Sequence, residues 1–94
     1  MFVMKTTFAI PRVLQQYTAG KSELQLAGNT VAALLREIED HCPALYPCIC
    51  DETGALRRHL NLFLNDQLLD AQSELDTRLQ SGDVVSLFQA VSGG

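Results

Sequence analysis

The sequence has no tryptophan, and its longest apolar run is the five residues Val31–Leu35. A membrane-spanning helix needs roughly 18 apolar residues, so we expect no membrane segment. Basic residues are also scarce: seven lysines and arginines against eleven acids give a net charge of −4. Because nucleic-acid binding requires a positive surface, we expect no nucleic-acid partner.

The N-terminus lacks the pattern of a secretory signal. Lys5 interrupts the apolar run, and Pro11 and Arg12 stand where small residues would mark a cleavage site. We therefore expect a cytoplasmic protein. Charge is uneven along the chain: residues 1–36 carry four bases and one acid (+3), and residues 37–94 carry three bases and ten acids (−7). Such an acidic second half predicts attraction to a basic surface on another protein.

Cysteine is limited to three residues close together, Cys42, Cys48 and Cys50. An odd, clustered set does not suit a secreted disulfide framework. His41 beside Cys42 suggests zinc, but the spacing matches neither a paired C-x2-C nor an H-x3-H template. We expect free thiols in a reducing compartment and no metal site.

Ninety-four residues are enough for one small domain. Loose alternation predicts a first strand over Phe2–Ile10, with Met4, Thr6, Phe8 and Ile10 on one side. A second strand, Glu23–Leu26, follows turn residues at 19–22 and should return antiparallel to the first.

A single amphipathic helix is predicted next. Thr30 suits the N-cap, and apolar residues recur at helical spacing until Pro43 ends the helix. These apolar positions are Val31, Leu34, Leu35, Ile38 and Cys42. The stretch from Ala44 to Arg58 is expected to be irregular, with a turn at 51–54.

Three further strands are predicted at 59–65, 67–69 and 84–91. In the first, Leu60, Leu62 and Leu64 share the buried face, which leaves Phe63 exposed among asparagines. In the last strand, Ser86 and Phe88 face outward by the same alternation. Two exposed aromatics on one sheet face, where scattered single aromatics would be ordinary, indicate a partner-binding surface.

The predicted element order is strand, strand, helix and then three strands. This order is typical of an α+β, ubiquitin-like β-grasp fold, in which one main helix packs on one face of a mixed sheet of four to five strands. We expect residues 1–91 to form this domain and residues 92–94 to form a flexible Gly-Gly tail. The chain has no nucleophile, phosphate-loop or dinucleotide motif, so we expect no catalytic residues and no enzyme activity of its own.

The chain closes on Ser92-Gly93-Gly94. Glycine has no Cβ, so such a tail can thread a narrow channel and present its carboxylate in another protein's active site. Frayed termini are also often built from small residues.

Four stretches resemble the ThiS/MoaD family of ubiquitin-like sulfur carriers. They are Phe8–Leu14, Gly28–Leu35, Leu56–Asn65 and Leu79–Val85, followed by Ala90–Gly94. Together they span nearly the whole chain and match the family's first strand and following loop, the start of its helix, a later strand and its Gly-Gly ending. Within the family, the sequence looks most similar to carriers of cysteine-type or specialised thio-metabolite pathways.

The resemblance implies a carrier activated by a partner. An E1-like enzyme of the MoeB/ThiF type would use ATP and magnesium to adenylate the Gly94 carboxylate, and a sulfur donor would convert it to a thiocarboxylate. Gly93 and the small Ser92 would keep the tail narrow enough to enter the active site of the partner enzyme. Phe63 and Phe88, with the nearby Asp83, would dock the partner enzyme. No cofactor would be bound by the chain itself.

The sulfur would pass to a biosynthetic enzyme making cysteine, molybdopterin, thiamine or another thio-metabolite, and the chain would be a monomer or part of a heteromeric complex. Two alternatives remain open at this point. One is a non-covalent interaction module of the same fold, and the other is a protein modifier conjugated through Gly94.

Overall fold

The computed structural model describes residues 5–70 and 75–89. Five strands, two α-helices and one 3-10 helix occur in this part of the chain. In order they are β1 (Thr6–Ala9), the 3-10 helix (Arg12–Thr18), β2 (Glu23–Leu26), α1 (Val31–His41), α2 (Tyr46–Ile49), β3 (Leu60–Leu64), β4 (Gln67–Leu69) and β5 (Val84–Gln89).

The strands form one mixed sheet in the order β2-β1-β5-β3-β4. β1 runs parallel to β5, whereas the pairs β1–β2, β3–β5 and β3–β4 are antiparallel. The predicted hairpin of the first two strands is confirmed, with Phe8 opposite Leu24. This is the β-grasp architecture predicted from the element order, with β5 at the centre of the sheet.

Alternation in β1 follows the predicted sides. Thr6, Phe8 and Ile10 are buried, whereas Lys5 is exposed and Thr7 is half-buried. The same face continues into β5 through Val85 and Leu87, and into β3 through Leu60 and Leu62. Leu64, predicted with them, is only half-buried, at the last position of its strand.

α1 covers this buried face as predicted. The Ala33 N–H donates to Thr30 Oγ1 at 3.1 Å, so the threonine is the N-cap. The residues of α1 that turn to the sheet are all buried: Val31, Leu34, Leu35 and Ile38. The helix ends at His41, and Cys42 follows it half-buried. No helix in the described part of the chain is long and apolar enough to cross a bilayer.

Two stretches differ from the prediction. Residues 12–18, to which no element was assigned, form the 3-10 helix, whose Leu14 packs into the core. Residues 44–58, predicted to be irregular, contain α2 and a β-bridge between Cys50 and Leu56. Burial of Leu45, Ile49 and Leu56 explains this order, because these side chains pack into the common core. The turn at 51–54 is confirmed.

Candidate functional site

Among residues 5–70 and 75–89 no helix covers the second face of the sheet, and its β3–β4–β5 half carries three large apolar side chains beside Asn61 and Ser86. Phe88 is 52% exposed and Leu68 is 59% exposed, although both are large hydrophobic residues. Together with Phe63 they form a cluster that we call the apolar patch. The sequence predicted a partner-binding role for this face; the exposure of Phe88 and Leu68 fits that role, which stays a prediction.

Strand register brings the three side chains together. Phe63 lies directly opposite Ser86 on β5 and opposite Leu68 on β4, while Phe88 lies opposite Asn61. Phe63 and Phe88 are therefore diagonal neighbours, and their ring centroids are 5.3 Å apart at 86°, an edge-to-face contact. The sequence predicted both rings on one face, and the register confirms this placement.

Phe63 is not exposed as predicted. It is half-buried, because the edge of one ring packs on the other and Leu68 flanks it across β4. Phe63 is therefore partly structural, and Phe88 and Leu68 are the accessible members of the apolar patch.

Leu68 was absent from the sequence-based site. Alternation in the short strand Gln67-Leu68-Leu69 required one of the two leucines to face outward. Leu69 is buried in the core, so Leu68 turns to the open face. The signal was available in the sequence, but a strand of three residues gives it little weight.

Asp83 lies at the opposite end of β5 from Phe88. The two residues are five positions apart along the strand, which is about 16 Å. The Asp83 carboxylate accepts hydrogen bonds from the Gln80 N–H at 2.7 Å and from Asn65 Nδ2 at 3.3 Å. These contacts hold the turn that begins β5. Its role in docking remains a prediction, and the structure does not bring it to the apolar patch.

The central strand leads directly to the tail. β5 is paired with β1 and β3 and ends at Gln89, one residue after Phe88. The predicted tail residues Ser92, Gly93 and Gly94 lie outside the described residues, as does the predicted boundary at residue 91. Of the apolar patch, Phe88 is therefore the member that lies next to the last described residue of β5, while Phe63 and Leu68 lie further back along the strands.

The cysteine cluster does not assemble into a metal site in the described part of the chain, where no three His, Cys, Asp or Glu side chains converge. His41 Nε2 lies 3.4 Å from Glu37 Oε1, and the Cys48 thiol donates to the Ala44 carbonyl at 3.7 Å. Cys50 is buried, and burial raises the pKa of its thiol to about 11. All three thiols are free.

Comparison with known proteins assigns the family. Residues 8–94 match the ThiS family. The chain is 29% identical to the sulfur carrier protein CysO of Mycobacterium bovis over 93 residues, which is 97% of this chain and 100% of the relative.

Solved structures agree with this match. The crystal structure of the Amycolatopsis orientalis BexX/CysO complex contains a chain that superposes with a TM-score of 0.81 at 26% identity, covering 95% of this chain and 99% of the other. The solution structure of small archaeal modifier protein 1 from Methanosarcina acetivorans superposes with a TM-score of 0.80 at 25% identity, covering both chains completely. The chain belongs to the ThiS family and is a β-grasp relative of the sulfur carrier proteins.

Proposed function

We propose that this protein carries sulfur as a thiocarboxylate on Gly94. The observation that carries the proposal is that the ThiS family match runs to Gly94 itself, so it includes both glycines. The central strand β5 supports it, because a tail attached to the middle of the sheet projects from a rigid base. Glycines at 93 and 94 give that tail the narrowest cross-section a polypeptide can have.

The chemistry takes place in two displacements. The Gly94 carboxylate attacks the α-phosphorus of ATP, which releases pyrophosphate and leaves an acyl-adenylate. A sulfur nucleophile at the oxidation level of hydrosulfide then attacks the carbonyl carbon, and AMP departs with the electrons of the broken C–O bond. The product is a thiocarboxylate; when its sulfur passes to a biosynthetic acceptor, the C–S bond breaks and water supplies the oxygen that restores the Gly94 carboxylate.

The partner we propose for activation is an E1-like enzyme of the MoeB/ThiF type, which would supply ATP and magnesium. The apolar patch would dock this enzyme, because Phe88 adjoins the base of the tail. A relative of this chain occurs in a BexX/CysO complex, which supports the general expectation of a partner enzyme. In this scheme the chain contributes a reacting terminus and a docking surface, and the partner contributes the catalytic groups.

We place the carrier in the cytoplasm, where Cys42, Cys48 and Cys50 would remain free thiols. The acceptor pathway we favour is cysteine-type or thio-metabolite synthesis, because the CysO match covers the full relative.

A protein modifier is the second candidate. It is favoured by the full-length superposition on a small archaeal modifier protein. Activation would be the same, but the adenylated Gly94 would end in an isopeptide bond to a lysine instead of a thiocarboxylate.

The test is mass spectrometry of the protein isolated from its own cells, with the C-terminal peptide mapped. We expect an oxygen-to-sulfur exchange localised to Gly94. Mapping is essential because oxidation of Met1 or Met4 adds nearly the same mass. A plain carboxylate that persists after incubation with ATP, a sulfur source and the native E1-like enzyme would refute the carrier, and a branched lysine peptide would select the modifier.

A further inference from the structure

Two arginines flank the base of the tail. Ala9 pairs with Ser86 in the parallel β1–β5 ladder, and Arg12 follows three residues later, as the first residue of the 3-10 helix, beyond the same end of the sheet at which β5 finishes. On the other side Leu60 pairs with Gln89, which places Arg58 just beyond that level before β3 begins. β1 and β3 are two strand spacings apart, about 10 Å. We call this pair the tail-flanking arginines.

Both tail-flanking arginines are exposed and uncompensated. In residues 5–70 and 75–89 the one ion pair within 4 Å joins Glu37 and His41, so neither arginine has an acidic partner there. The opposite end of the sheet, at the turn before β5, carries Asp66 and Asp83 together with Lys5.

The acids of the tail-side half of the sheet stand on its outer strands. Glu23 lies in β2, and Asp70 follows β4. A molecule with a net charge of −4 therefore places positive charge on both sides of its tail.

We propose that the tail-flanking arginines bind carboxylates at the mouth of the channel that receives the tail on a partner protein. This inference rests on the proposed function, because it assumes that the tail enters a partner. The occupant is a protein surface bearing aspartates or glutamates, since charge complementarity of this kind fixes orientation and speeds encounter. Arginine also grips carboxylates with two parallel hydrogen bonds.

The length of the tail separates this surface from the nucleotide. Residues 90–94 span at most about 17 Å when extended. An extended tail would carry the Gly94 carboxylate up to that distance beyond Gln89, so we expect the α-phosphate to lie deeper in the partner than the groups that meet Arg12 and Arg58. Their target is the mouth of the channel, not the phosphates at its end.

The first experiment uses a hexaglutamate peptide and the complete 15N-labelled protein at low salt. We expect amide shifts confined to residues around Arg12 and Arg58, lost in the Arg12→Glu/Arg58→Glu variant. Arg78→Glu is the control, because Arg78 is an exposed arginine shortly before the turn at the far end of β5. Shifts that centre on Lys5 or Arg78, or no shifts at all, would overturn the proposal.

The second experiment measures ATP–pyrophosphate exchange by the native E1-like enzyme with the carrier as substrate. Reversal of both arginines should raise KM about tenfold at low salt with kcat little changed, and the difference should shrink at high salt. Single reversals should each have part of the effect, and Arg78→Glu less than about twofold. An equal rise in KM for Arg78→Glu would refute the inference. So would a KM difference between the double variant and the wild type that does not change with salt concentration.

The two experiments separate the inference from the function on which it rests. If the wild-type chain supports no exchange, activation of Gly94 fails, and the peptide titration still decides whether the tail-flanking arginines recognise carboxylates. Thermal unfolding of each variant confirms that the charge reversals leave the fold intact.

Discussion

At Gly28 the chain approaches the first turn of α1 so closely that an added Cβ would be in tight contact with the helix backbone. A Cβ built there would lie 3.0 Å from the Leu34 backbone nitrogen and 3.1 Å from its Cα. Because these are helix backbone atoms, relief requires the loop or helix to move. We expect Gly28→Ala to lower the free energy of unfolding by about 1–3 kcal/mol. Urea denaturation measures this, with Asn29→Ala at the exposed neighbour as the control. Equal stability of the two variants would contradict the steric argument.

Asn65 holds the turn between β3 and β4 in two ways. Its φ of 54° lies in the left-handed region, and its Oδ1 accepts a hydrogen bond from the Val84 N–H at 3.1 Å. Glycine keeps the conformation but loses the hydrogen bond, whereas alanine loses both. We expect Asn65→Ala to destabilise the protein by about 2 kcal/mol and Asn65→Gly by less. Thermal or urea unfolding that ranks them in reverse would contradict this assignment.

The buried Cys50 thiol makes stability sensitive to alkaline pH. Burial raises its pKa to about 11 in the folded chain, whereas an unfolded thiol ionises near 8.5. Its stabilising contribution is complete below the unfolded pKa and is lost as pH rises towards the folded pKa. We expect the free energy of unfolding to fall between pH 8.5 and 9.5, below the range where Tyr46 ionises. In Cys50→Ala, less stable overall, that slope should flatten. An unchanged slope would assign the pH dependence to other groups.

At the scale of elements, the strands and the helix that could be predicted from the sequence were those whose pattern of apolar residues recurs several times. Alternation in β1, β3 and β5 and the cap and spacing of α1 placed these elements, and turn residues placed β4. The 3-10 helix was not predicted, because its apolar residues Val13, Leu14 and Tyr17 are too few to establish a recurring spacing. α2 escaped because it has four residues with a proline at its start. Tertiary packing of Leu14 and Ile49 orders both stretches.

The residues of the candidate site could also be predicted from the sequence only in part. Strand alternation placed Phe63 and Phe88 on one face, but only register shows that their rings touch. The contact between the rings makes Phe63 half-buried, and periodicity carries no information about contacts between strands. Asp83 was assigned to docking from its proximity in sequence, whereas strand direction puts it at the other end of β5.

The apolar patch predicts a contrast between two of its members. Phe88→Asp should weaken binding to the native E1-like enzyme with little loss of stability, because this ring is 52% exposed. Phe63→Asp should weaken binding and also destabilise the fold, because its ring is packed. Calorimetric titration and urea unfolding measure the two effects, with Val13→Asp, on the exposed 3-10 helix, as a matched control. Unchanged binding of Phe88→Asp would remove the apolar patch as a docking surface.

At the scale of the whole molecule, the sheet order mixes the two halves of the chain. β1, from the basic first half, lies beside β5, from the acidic second half. The charge difference between residues 1–36 and 37–94 therefore does not become two oppositely charged lobes. Attraction to a basic partner surface was predicted from the acidic second half of the sequence, and it stays a prediction. Both ends of the strands carry mixed charge: Asp66 and Asp83 lie at one end with Lys5, and Arg12 and Arg58 lie at the other end with Glu23 and Asp70 on the outer strands.

At this scale we also expect a change that abolishes activation of the tail without lowering the stability of the fold. Deletion of Gly93 and Gly94 removes the reacting carboxylate without touching any buried residue of the described core. We expect the unfolding midpoint to stay unchanged while ATP–pyrophosphate exchange is abolished. Differential scanning calorimetry and the exchange assay check the two expectations. Cell function that survives this deletion would contradict both the carrier and the modifier, and would favour a non-covalent interaction module.

The central position of β5 has a mechanical consequence. A pull on the tail loads β5 along its length, and the hydrogen bonds to β1 and to β3 resist together in shear. An edge strand such as β2 or β4 would instead have one row of bonds to resist the same force. We therefore expect the domain to resist unfolding when a partner binds the tail and force is applied along β5.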